Sequence, residues 1–244
     1  MSIASALESV EERIQRACAR SGRKREEIRL MAVSKFQPIA AIEEARKNGV
    51  RLFGENRVRE AAEKFSVPAG EAPRPGGPSP SRTLFRDCEV HMIGSLQRNK
   101  AKLAARLFDC VQSLDREGII VELAKHAGER ETPLPVLLEL HTGESSKSGF
   151  PDEESLMRAA ELLLASPGLS AAGLMTMAPF AAGESAIRAS FRALVHARGV
   201  LVSHFPRADW SCLSMGMSGD FEIAVEEGST LLRVGTAIFG ERSQ

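Results

Sequence analysis

Eight short apolar runs alternate with amphipathic segments along this chain, and no two runs follow one another without a helical stretch between them. The runs fall at 29–34, 51–54, 89–93, 108–113, 135–141, 170–176, 209–214 and 230–235. The stretches between carry apolar positions at helical spacing near 39–48, 56–65, 98–106, 116–127, 152–165, 184–199 and 218–227. Such alternation predicts parallel strands covered by helices. Eight strand–helix units in 244 residues match the size of a (β/α)8 TIM barrel. An open doubly wound sheet is the competing architecture, but its usual Gly-x-Gly-x-x-Gly after the first strand is missing. The eighth run is followed only by Ala237–Gln244, too little for a full covering helix. At the other end Ile3, Leu7, Val10, Ile14 and Ala17 make an apolar stripe that ends near Ala19, with Gly22 as a stop. That opening helix is expected to close the outer ring, making 1–244 a single barrel domain.

Residues 68–82 break the rhythm: proline and glycine dominate, no side chains are available to build a core, and a flexible loop is expected. Lysine plus arginine equals aspartate plus glutamate at 32 each, so no large basic field is available for nucleic acid or an anionic membrane. No apolar stretch reaches the length of a bilayer span. The segment Met1–Glu8 is amphipathic and acquires an acid early, unlike a signal peptide, so a cytoplasmic location is expected. Cys18, Cys88, Cys110 and Cys212 form no C-x-x-C pair, and the five histidines show no ligand spacing; neither a disulfide nor a metal site is expected. Nothing calls for an obligate dimer, so a monomer is expected. Tyrosine is absent altogether, which excludes a tyrosine acid or base within this chain.

Two residues carry the chemistry. Lys35 ends the first apolar run, Leu30-Met31-Ala32-Val33-Ser34. A lysine at the carboxyl end of a buried strand can lose hydration and become a nucleophile toward an aldehyde. Strand alternation puts Met31, Val33 and Lys35 on one face, and Leu231, Arg233 and Gly235 on one face of the eighth strand. If those faces point inward, Arg233 is a guanidinium inside the barrel that needs a carboxylate such as Glu55, or a ligand acceptor. Gly235 permits close backbone approach, and its amide and that of Thr236 can aim at an anion. Ser218 reads as the N-cap of the helix over 218–227, another place where free amides bind phosphate. Both features sit after strands seven and eight, where barrels commonly hold phosphate. A lysine nucleophile, a phosphate cradle and an inward arginine together suggest a phosphorylated aldehyde, of which pyridoxal 5′-phosphate is the obvious candidate.

The segments Ala32-Val33-Ser34-Lys35, Phe53-Gly54-Glu55-Asn56, His91-Met92-Ile93-Gly94-Ser95-Leu96-Gln97-Arg98-Asn99-Lys100, Ser146-Lys147-Ser148-Gly149, Gly173-Leu174-Met175, Ser214-Met215-Gly216-Met217-Ser218 and Gly228 to Gly240 resemble the pyridoxal phosphate homeostasis protein family. The resemblance implies a barrel of the alanine racemase N-terminal type holding pyridoxal 5′-phosphate as a Schiff base on Lys35. It implies Asn56 near the ring, Arg233 at the pyridine nitrogen, phosphate at Ser218, Gly235 and Thr236, and a wall of Ser214, Met215 and Met217. It further implies a carrier or buffer of the cofactor without turnover, serving pyridoxal-dependent apo-enzymes. Gln37 stands where many relatives carry a second lysine, and the 68–82 segment has no counterpart in compact ones.

Residue chemistry points the same way. A pyridoxal enzyme needs an acid or base on each face of its substrate; Lys35 can serve one, and the racemase-type tyrosine is missing. Arginine at the pyridine nitrogen tends to leave it unprotonated and weakens the ring as an electron sink. The alternatives are a true pyridoxal-dependent amino-acid racemase or decarboxylase, a cofactor-free class I aldolase, and a non-covalent regulator acting through the 68–82 loop.

Overall fold

A computed structural model describes residues 2–65, 85–143 and 148–241; the 68–82 segment and Lys147 lie outside the described residues. The chain opens with helix α1 (Ile3–Ser21), whose buried stripe is Ala6, Val10, Ile14, Ala17 and Cys18. Ser2 caps its start, and Gly22, at φ 68°, ends it by taking the left-handed conformation that glycine adopts without a Cβ clash. Then come β1 (Arg29–Val33), α2 (Ile39–Lys47), β2 (Leu52–Glu55), α3 (Val58–Phe65), β3 (Glu89–Met92), α4 (Ala101–Leu107), β4 (Cys110–Leu114) and α5 (Glu117–Ala127). The second half runs β5 (Leu134–Glu139), α6 (Glu153–Leu164), β6 (Leu169–Met175), α7 (Glu184–His204), β7 (Cys212–Ser214), α8 (Phe221–Glu226), β8 (Leu231–Val234) and α9 (Thr236–Phe239).

The eight strands pair in parallel in sequence order, and β8 returns to β1 to close a (β/α)8 barrel. Each expected strand is present within three residues of its expected ends. The helix expected over 218–227 starts late, because the Asp220 carboxylate takes the Met217 amide at 2.5 Å and holds 217–220 as a turn. The four-residue α9 cannot cover its strand. α1 packs against α8, α9 and α2 and fills that slot in the outer ring. Arg23 ties it down by donating to the carbonyls of Val225 at 2.9 Å and Ser229 at 2.7 Å.

Strand parity divides the core in two. Ala32, Phe53, Val90, Val111, Leu138, Leu174, Leu213 and Val234 point out into the helix layer and join one large apolar cluster. Met31, Leu52 and Leu231 pack with Ile93 and Cys212 inside the barrel, beside Cys110, Leu137 and Met175. The amino-terminal half of the interior is therefore mostly apolar, although His91 is buried there too. The upper layer of the interior is polar: Gln112, Glu139, Ser214 and Arg233 are all buried.

Candidate functional site

Lys35 follows β1 immediately, in the turn to α2, and is half-buried. Phe36 beside it takes a left-handed φ of 62°, a strained conformation for an aromatic residue. The turn is braced from below. Ser34 donates its hydroxyl to Glu55 Oε1 at 2.7 Å, and the Phe36 amide donates to Glu60. Lys64, almost fully buried on α3, donates to the Ser34 carbonyl at 2.7 Å, Glu55 Oε1 at 3.0 Å and Glu60 Oε1 at 2.6 Å. Burial pushes the Glu55 carboxyl up, against the pull of Lys64. Arg57 stacks over the Phe36 ring, 4.9 Å from its centroid. These contacts fix where the Lys35 stem leaves the strand.

Arg233 lies inside the barrel at 4 % exposure. It does not pair with Glu55, which follows inward Gly54, points outward and belongs to the Lys64 cluster. Instead Nη1 donates to Ser214 Oγ and Nη2 to the Thr176 carbonyl, each at 2.7 Å. Burial pulls the guanidinium down to about 10, with Asp220 and Glu139 opposing, so it remains a cation at neutral pH. A buried cation held by neutral acceptors is suited to a ligand atom that accepts a hydrogen bond.

Lys35 and Arg233 line one cavity of about 610 Å³, together with Val33, Asn56, Ile93, Met217, Ser218, Asp220, Gly235 and Thr236. The volume lies in the range of small-molecule sites. The lining comes from the carboxyl ends of β6, β7, β8, β1, β2 and β3, which are consecutive around the barrel. Asn56 Oδ1 is buried there without a hydrogen-bond partner, an acceptor left open toward a ligand donor. At the β8 end Ser218 is not the cap of α8. Its hydroxyl accepts from the Gly235 amide at 3.3 Å and the Ala237 amide at 3.2 Å, drawing the loop after β7 onto the loop after β8.

Seven of the nine expected site residues line this cavity: Lys35, Asn56, Met217, Ser218, Arg233, Gly235 and Thr236. The other two stand behind it. Ser214 is fully buried beneath Arg233, and Met215, one residue on and so of opposite parity, points out into the helix-layer core. One wall escaped the sequence reading. Met177 to Ala182 after β6 line the cavity, with Phe180 83 % exposed at the rim. Their only sequence signal is the unbroken apolar run from Met177 to Ala182 beyond a strand that had already ended.

A family model described as alanine racemase, N-terminal domain, matches residues 6–243. The pyridoxal phosphate homeostasis protein of Vibrio cholerae serotype O1 is 40% identical over 242 residues, covering 99% of this chain and 97% of that protein. This chain belongs to the pyridoxal phosphate homeostasis protein family. PipY of Synechococcus elongatus PCC7942, solved with PLP bound, aligns at a TM-score of 0.79 and 32% identity, covering 98% of this family member and 100% of PipY. An alanine racemase from E. faecalis shares the fold at a TM-score of 0.66 but only 16% identity, and covers 99% of this chain and 59% of that one. Among the described residues no cluster of histidine, cysteine or carboxylate side chains could hold a metal, and the four cysteines are free thiols. Among the described residues no helix is long and apolar enough to cross a membrane.

Proposed function

We propose that this chain binds pyridoxal 5′-phosphate in the cavity at the carboxyl ends of β6, β7, β8, β1, β2 and β3, covalently through a Schiff base on Lys35, and serves as a carrier and buffer of the cofactor. One observation carries the proposal: an amine, a buried guanidinium and the Ser218/Gly235/Thr236 corner line a single cavity. The donor set fits. Lys35 supplies the amine, Arg233 an obligate donor for the ring nitrogen, Asn56 an open acceptor for a ring hydroxyl, and the Ser218 hydroxyl with the Thr236 amide the donors for phosphate. PipY, which is similar over its whole length, has been solved with PLP bound.

Pyridoxal phosphate contributes an aldehyde and, when its ring nitrogen is protonated, an electron sink. Arg233 can only donate, so it keeps that nitrogen unprotonated and leaves the sink weak. These 244 residues hold no tyrosine to move a proton on the second face. The relatives carry the name of homeostasis proteins rather than enzymes. Storage and delivery therefore suit this site better than racemisation or decarboxylation. The carrier works as a monomer in the cytoplasm and hands the cofactor to pyridoxal-dependent apo-enzymes.

The test is a spectrum of the full chain mixed with pyridoxal 5′-phosphate, before and after borohydride, followed by peptide mapping. The expected result is an imine band that reduction fixes on Lys35, with Lys35→Ala retaining the phosphate ester without covalent attachment. An adduct on another lysine, or none, refutes the assignment. Release of carbon dioxide or loss of stereochemistry from amino acids would favour the enzymatic alternative.

A further inference from the structure

A single file of polar side chains runs through the barrel interior from half-exposed Glu89 at its amino-terminal mouth to buried Arg233. Arg233 Nη1 donates to Ser214 Oγ at 2.7 Å, and Ser214 donates to Gln112 Oε1 at 2.6 Å. Gln112 Nε2 lies 2.8 Å from His91 Nδ1, and His91 Nε2 lies 3.3 Å from Glu89 Oε2. Arg29 Nη2 donates to that same oxygen at 2.8 Å. Gln112 and Ser214 are fully buried and His91 is 5 % exposed.

One assignment of donors and acceptors satisfies every contact in the file. Arginine has five donors and no acceptor. Ser214 accepts from Arg233 and donates its own hydrogen to the Gln112 carbonyl oxygen. The Gln112 amide hydrogen then faces His91 Nδ1, which must offer a lone pair. The remaining imidazole hydrogen sits on Nε2 and points at Glu89. Glu89 is the acceptor where the file from Arg233 and the hydrogen from Arg29 meet. Its carboxyl is held down to about 2, chiefly by the His91 contact and then by Arg29. In this arrangement the Ser214 hydroxyl has a partner on each side, and losing either one frees its rotor.

We propose that Gln112 is a positioning residue for Arg233. Anchored by His91 and Glu89, it fixes the Ser214 hydroxyl with its lone pair toward the guanidinium, and thereby sets which N–H groups Arg233 presents to the cofactor ring nitrogen. The inference rests on the cavity being a pyridoxal phosphate site. It deepens that assignment by extending the site to a residue on β4, on the opposite side of the barrel from β8, that touches no ligand.

The experiment is a double-mutant cycle on the full chain with Gln112→Met, Ser214→Ala and both, read as the dissociation constant for pyridoxal 5′-phosphate and as the melting point of the cofactor-free protein. Gln112→Met should weaken binding about fivefold to tenfold, the worth of one buried hydrogen bond. Because Gln112 acts through Ser214, the double variant should lose no more than Ser214→Ala alone. Gln112→Glu preserves the acceptor facing Ser214 and should bind within about twofold of wild type. Additive losses, Gln112→Met binding like wild type, or a Gln112→Glu loss as large as that of Ser214→Ala overturns the proposal even if the methionine variant fails to fold. Wild-type protein that takes up no cofactor overturns the site assignment and the proposal with it.

Discussion

Glu139 ends β5 at the cavity end of the barrel and is 2 % exposed, so its ionisation weighs directly on stability. Burial pushes its carboxyl from 4.5 up to about 7; Ser148, donating to Oε1 at 3.0 Å, holds it back, Asp115 adds to the rise, and Arg233 and His141 oppose it. Between those two values the native chain holds a proton that the unfolded chain has released. Stability from this group is therefore full below 4.5, falls as pH climbs toward 7, and is lost above it. At 1.36 kcal/mol per pH unit the interval amounts to about 3 kcal/mol. Glu139→Gln removes the ionisation and keeps an acceptor for Ser148, but places an amide N–H where the second oxygen was, at a cost of about 1 kcal/mol. The variant should be more stable than wild type by about 2 kcal/mol at pH 8 and slightly less stable at pH 4.5. Urea unfolding of the cofactor-free protein at several pH values measures both. Parallel stability–pH curves for the two proteins would show that Glu139 does not ionise in this interval.

Lys64→Met leaves Glu55 and Glu60 facing each other without their shared cation, and should cost about 3–5 kcal/mol in urea unfolding at pH 7; a change below 1 kcal/mol, on the order of a surface pair, refutes the brace under Lys35. Gly173 has φ 146°, and a Cβ there would lie 1.9 Å from the Cys212 carbonyl oxygen across the β6–β7 pairing. Gly173→Ala should lower stability by about 3 kcal/mol or more, checked by thermal melting, and an unchanged melting point would mean the two strands are not held at this separation.

The barrel was legible because a parallel strand buried on both sides reads as a continuous apolar run, and each run is set off by helical periodicity. Lys35 and Arg233 were legible through their position at strand ends. The loop chemistry was less so. Ser218 precedes an apolar helical pattern and has every mark of an N-cap, yet Asp220 captures the Met217 amide and frees the serine hydroxyl for the next loop. Met215 was placed at the cavity wall by the family resemblance, although a single residue of offset from Ser214 reverses the face of the sheet.

Glu55 shows where strand parity lacked a sequence signal. Deciding whether it could reach Arg233 required knowing which way β2 faces, and the run Leu52-Phe53-Gly54-Glu55 is apolar on both faces up to the acid. The inward position beside Glu55 is Gly54, which has no side chain to reveal the interior. The reason for that glycine lies on another strand: a Cβ at Gly54 would stand 2.6 Å from Met31 Sδ, so the methionine of β1 occupies the space that β2 leaves. With Gly54 inward, Glu55 is outward, Lys64 becomes its partner, and Arg233 loses the carboxylate that its sequence neighbourhood suggested. The guanidinium is then left to Ser214, the Thr176 carbonyl and whatever enters the cavity. A residue with no side chain on β2 thus decides the partner of a cation on β8, through a volume constraint that only the closed barrel imposes.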